Sequence, residues 1–65
     1  MNQFRKARLL AGITQGELAK RVGVSVVSVN KWENGHVFPD VRRLKTVADA
    51  LNTTVDVLIS EKEVS

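Results

Sequence analysis

Gly12, Gly23 and Gly35 cut the first half of the chain into three short segments, and Asn52-Thr53 closes a fourth further on. Each segment has room for about three helical turns. Glycine just past the last turn is a common helix stop, because it enters the left-handed conformation at little cost. Residues that open helices follow each break. Thr14 stands where an N-cap belongs, with Glu17 three residues on to complete a capping box. Ser25, Asp40 and Thr54 are further candidate caps. No alternating run bounded by hairpin turns occurs, so nothing reads as a strand pair. The pattern predicts an all-α chain of five helices.

Helix 1 is expected from about Asn2 to Ala11, with Phe4, Ala7 and Ala11 inward at 3–4 spacing. Helix 2 follows Thr14 and turns Leu18, Ala19 and Val22 inward. Helix 3 runs from its cap at Ser25 to about Asn34. Residues 36–39 form a loop, with Phe38 pushed toward an extended conformation by Pro39. Helix 4 follows Asp40 and carries Val41, Leu44, Val47, Ala48 and Leu51 as one apolar stripe. Thr54 caps a short helix 5 that ends near Ser60, and residues 61–65 are expected to fray. All 65 residues read as one domain, with a helix-turn-helix over about residues 14–34.

A domain this small buries only about 60% of its unfolded surface, so its stability is marginal. It has no cysteine and one histidine, His36, which leaves neither a disulfide nor the usual zinc cluster. No metal or other cofactor is expected, and the fold must stand on apolar packing. No stretch approaches the ~18–20 apolar residues that cross a bilayer. Arg5, Lys6 and Arg8 near the start, with no apolar run after them, do not make a signal peptide. The expected location is the cytoplasm, without a membrane partner. Asp49 and Asp56 lie on different helices with no histidine, glycine loop or nucleophile near them, so no catalytic set is legible and no enzyme is expected.

The net charge of +3 is unevenly spread. Residues 1–45 hold nine Lys/Arg against three acids, a balance of +6, and residues 46–65 hold one against four, a balance of −3. A basic body suits a polyanion. Two short helices joined by a tight glycine turn suggest helix-turn-helix geometry, and the outward face of helix 3 then carries the question of function. At ~100° per residue, with Val26 at zero, Val29 and Trp32 lie near ~300° and ~240° and set the core side. Trp32 is accordingly a core residue, not a stacking platform. Val27, Asn30, Lys31 and Asn34 fall opposite, at ~40–140°, with Val26 beside them. A valine at the centre of a solvent face gains nothing and is penalised by helix propensity. On a DNA-reading face its methyls can meet thymine methyls while Asn and Lys reach base edges. Geometry alone leaves open that the valines pack on another subunit or simply sit exposed.

The ordered set Gly12-Ile13-Thr14-Gln15, Leu18-Ala19, Gly23-Val24-Ser25, Val29-Asn30, Trp32-Glu33-Asn34-Gly35 and Pro39, continued by Leu44, Ala48, Ala50-Leu51 and Leu58, resembles the lambda-repressor-like, Cro-type (XRE) helix-turn-helix family. The likeness covers about residues 4–59. It implies a compact five-helix fold with helix 3 in the major groove and helix 2 across the backbone. It implies that Gln15 binds a phosphate and braces a residue of helix 3. Ser25, Val26, Val27, Asn30 and Lys31 occupy reading positions, with Ser25 at the edge where it also positions the backbone. Asn34 would touch phosphate just past helix 3. Arg8 and Glu33 match a pair that joins helices 1 and 3 in a buried salt bridge. Many relatives carry Arg or Gln at positions 26 and 27, so the two valines leave fewer hydrogen bonds to bases and shift readout toward methyls and DNA shape.

Arg42 and Arg43, at the start of helix 4, either meet phosphate flanking the site or form a plain solvated face. Helix 5 has more apolar residues than one side of a short helix can bury. Val57 and Ile59, with Val64 behind them, are candidates for a twofold contact. The expected function is transcriptional regulation, with repression foremost, by a homodimer on double-stranded DNA at a palindromic operator. The protein would then sit on the nucleoid. No small-molecule effector is expected, since no sensor domain is legible. The rival is a protein-interaction module whose valine-bearing helix 3 grips a protein.

Overall fold

The computed structural model describes residues 2–60, and its five helices follow the punctuation of the sequence. They are α1 (Gln3–Ala11), α2 (Gln15–Val22), α3 (Val26–Glu33), α4 (Val41–Ala50) and α5 (Val55–Ile59). Every one opens on a side-chain cap. Asn2, Thr14, Ser25, Asp40 and Thr54 each accept a hydrogen bond from the backbone N–H three residues on. At Thr14 the box is reciprocal. Its hydroxyl accepts from the Glu17 amide at 3.0 Å, and the Glu17 carboxylate accepts from the Thr14 amide at 3.1 Å. Such a box satisfies two amides that helix geometry leaves without partners.

One apolar cluster joins all five helices. Leu18 from α2, Val29 from α3 and Val47 from α4 are its fully buried centre. α2 packs on α3 and α4, α1 on α3 and α5, and α4 on α5. Trp32 is buried and tilts against Phe4 at 6.1 Å between ring centroids, while the exposed Phe38 meets Phe4 edge-on at 5.5 Å.

Two expected core positions lie outside. Ala11 is exposed, and the inward face of α1 is Phe4, Ala7 and Arg8. Ala11 is the last residue of its helix, next to the Gly12 turn, where no other element covers it. Val41 is 76% exposed, so the stripe of α4 begins at Leu44. As the first residue of α4 its side chain leans toward the helix N-terminus, past the core. The expected fraying of residues 61–65, and Val64 with it, lies outside the described residues.

Candidate nucleic-acid interface

The connection between α2 and α3 holds the site together. Gly23 has φ 84°, a conformation any side chain would strain. Its amide and that of Val24 both donate to the Ala19 carbonyl, at 2.8 and 2.9 Å. Val24 turns back onto the core, and Ser25 then starts α3. Val29, Trp32 and Glu33 bury the inner side of α3. Rotation therefore leaves Val26 (47% exposed), Val27 (61%), Asn30 and Lys31 facing outward, with Asn34 exposed at the C-cap. Ser25 is exposed too. Its hydroxyl oxygen accepts from the Ser28 amide at 3.2 Å and lies 3.2 Å from the Ser28 hydroxyl.

Beneath this face runs a polar chain through the core. Arg8 Nε donates to Glu33 Oε2 at 2.6 Å, Nη2 to Glu33 Oε1 at 3.2 Å, and Nη1 to the Ile13 carbonyl at 2.9 Å. Both residues are buried, and a fork of this kind is the geometry in which a charged pair can repay its desolvation. The hydrogen bond to Glu33 holds the guanidinium above its ordinary pKa, against the opposing effect of burial and with the charge of Glu33 adding to it. Gln15, half-buried at the first position of α2, donates from Nε2 to Glu33 Oε1 at 3.1 Å. Arg8, Glu33 and Gln15 thus tie α1, α3 and α2 into one frame.

Three contacts at this end of the molecule escape sequence reasoning. Asn2 caps α1 through its oxygen, and its Nδ2 donates to the Trp32 carbonyl at 2.6 Å. Arg43 is half-buried and donates from Nη1 to the Val22 carbonyl at 3.3 Å, next to the Gly23 turn. Arg42 is fully on the surface. Asn34 Nδ2 donates to Asn30 Oδ1 at 3.0 Å. Only the last has a readable signal, since residues four apart on a helix are neighbours. In α5, Val57 is 43% and Ile59 46% exposed, while Leu58 between them is buried. Ile59 borders a groove of about 720 Å³ that Phe38 and Val37 also line, and Val57 a second of about 250 Å³ shared with Leu10.

The order of capped helices, the glycine turn and the inward Trp32 and Glu33 correspond to the helix-turn-helix family, whose profile matches residues 4–58. The chain belongs to the XRE-type helix-turn-helix family. This helix-turn-helix domain is 31% identical over 61 residues to the HTH-type transcriptional activator BcrR of Enterococcus faecalis, a match that covers 94% of the chain and 30% of BcrR. It is 38% identical over 45 residues to the cryptic phage CTXphi transcriptional repressor RstR of Vibrio cholerae, covering 69% of the chain and 40% of RstR. With YazB, an HTH-type transcriptional regulator of Bacillus subtilis, it shares 36% identity over 56 residues, 86% of the chain and 81% of YazB. The helix-turn-helix domain thus spans less than half the length of the first two relatives. No solved structure gives a significant match. Among the described residues no helix is long and apolar enough to cross a membrane.

Proposed function

We propose that this domain binds duplex DNA at a specific sequence as a homodimer and represses transcription from a palindromic operator. The observation that carries the reading is the outer face of α3. Val29, Trp32 and Glu33 anchor it from beneath, and it presents two valines, two asparagines and a lysine to solvent. Val26 and Val27 supply methyl contacts, and Asn30 and Lys31 hydrogen-bond to base edges. Gln15, Ser25 and Asn34 set the register on the phosphates. Gln15 has one N–H on Glu33 and a second for a phosphate, beside the free amides and positive end of α2. Arg42 is the better placed of the two arginines for phosphate, since Arg43 already holds the turn. The relatives named as regulators include both an activator and a repressor. Repression is the usual consequence of occupying an operator and blocking polymerase, and activation is equally compatible with the fold.

Val57 and Ile59 form the twofold contact in this reading, with Val64 an additional member. Two copies joined there present two α3 helices about 34–36 Å apart, one turn of DNA. Selection of bound sites from a random duplex pool at moderate salt tests the whole proposal. An enriched inverted repeat with half-sites about one helical turn apart is the expected result. Generic, salt-sensitive retention without any enriched sequence would reject it and favour a domain that reaches its target through a partner protein.

A further inference from the structure

Asn30 and Asn34 lie one turn apart on the outer face of α3, with Val27 on the same side. Their amides are joined in one sense. Asn34 Nδ2 donates and Asn30 Oδ1 accepts, at 3.0 Å. That sense has a physical cause. Asn34 is the C-cap of α3, where the last carbonyls make the helix end negative, so its NH2 group is drawn back toward the helix. The Asn30 oxygen is then directed along the helix surface, and its Nδ2 keeps both N–H groups. Among the described residues nothing accepts from that nitrogen.

We infer that Asn34 is a positioning residue that sets Asn30 as a donor-only reader, selecting guanine and rejecting adenine at one base pair. The inference rests on the DNA-binding reading above. An unconstrained asparagine pairs most readily with adenine, giving N–H to N7 and taking one from N6. With its oxygen turned to Asn34, Asn30 offers only donors. Guanine presents two acceptors, N7 and O6, side by side, whereas the adenine N6 amino group would face the Asn30 amino group, donor against donor. A backbone phosphate beside Asn34 strengthens the arrangement. Phosphate only accepts, so it takes the second N–H of the same NH2 group and opposes an amide flip.

The test is site selection from one random duplex pool with the whole chain, its Asn30→Ala variant and its Asn34→Ala variant. Both side chains are exposed, so all three proteins are expected to fold, and circular dichroism checks this. Asn30→Ala identifies the base pair that Asn30 reads, as the one position whose preference vanishes. In the unmodified chain that position is expected to be guanine, favoured over adenine by about tenfold or more. In Asn34→Ala the freed amide turns, adenine becomes equal to or better than guanine there, and the rest of the motif stays. A phosphate contact alone would weaken all sites alike and move no base preference. Adenine at that position in the unmodified chain, or an unchanged guanine preference in Asn34→Ala, overturns the inference while leaving sequence-specific binding intact. No enriched motif for the unmodified chain overturns the DNA-reading proposal itself, and this inference with it.

Discussion

At the residue scale, the buried Arg8–Glu33 pair decides most. Taking two charges out of water is costly, and here the guanidinium fork and the Ile13 carbonyl compensate. Removing one partner strands the other. Glu33→Ala is expected to cost about 3–5 kcal/mol in urea unfolding. For a domain whose total stability is about 0.05–0.15 kcal/mol per residue, that loss takes a large share of the whole. The double change Arg8→Met with Glu33→Leu removes both charges and is expected to cost less than either single loss. A double change that costs the sum of the two single losses would mean that the pair does not act as a unit. The pH response follows from the same bond. Because the folded pKa of Arg8 is raised, its contribution is complete below the ordinary guanidinium value and is lost only as pH climbs through the higher folded one. Arg8 therefore lends stability no slope between about pH 6 and 10, which unfolding across that range can check.

At the scale of the element, α2 shows how much short helices owe to their ends. It has eight residues, too few to persist alone in water, and its capping box and core face hold it. Thr14→Ala is expected to cost about 1 kcal/mol in stability. Gly16 works the other way. A Cβ placed there would meet only the Thr14 hydroxyl oxygen, at an ordinary 3.8 Å. Its backbone is helical, so Gly16→Ala is expected to stabilise by about 0.5–1 kcal/mol, seen as a melting temperature higher by about 4 °C. The same change at Gly23, with φ 84°, is expected to destabilise by about 1 kcal/mol or more, although no atom stands in its way. Two glycines seven residues apart in one motif thus respond with opposite sign, for reasons of backbone conformation alone.

At the scale of the whole molecule, two surfaces point in different directions of use. In the proposed reading α2, α3 and the start of α4 meet DNA, and the apolar residues of α5 meet a second copy. Ile59→Glu, at a position already 46% exposed, is expected to leave the monomer folded. It is also expected to turn two-site binding into single half-site binding, with sedimentation showing monomer. A dimer that survives both Ile59→Glu and Val57→Glu would place the contact elsewhere. DNA affinity is expected to fall steeply with salt, by about one unit of log-log slope for each phosphate contact, and Arg42→Ala should remove about one such unit without altering the preferred sequence.

How much of this could be read before the fold was known follows from distance along the chain. Caps, glycine stops and inward stripes depend on groups within about four residues of one another, and there all five helices and the outer face of α3 were legible. The family resemblance added the Arg8–Glu33 pair and a bracing role for Gln15. The rest depended on tertiary packing. Ala11 and Val41 follow the helical period as well as their neighbours do, but a periodic face is buried only where another element covers it. The contacts Arg43–Val22 and Asn2–Trp32 join residues 21 and 30 positions apart, and no local rule reaches so far. Local chemistry set where each helix begins, ends and turns its apolar side. Only packing the helices together decided which polar side chains would be buried between them, because that depends on which ends meet.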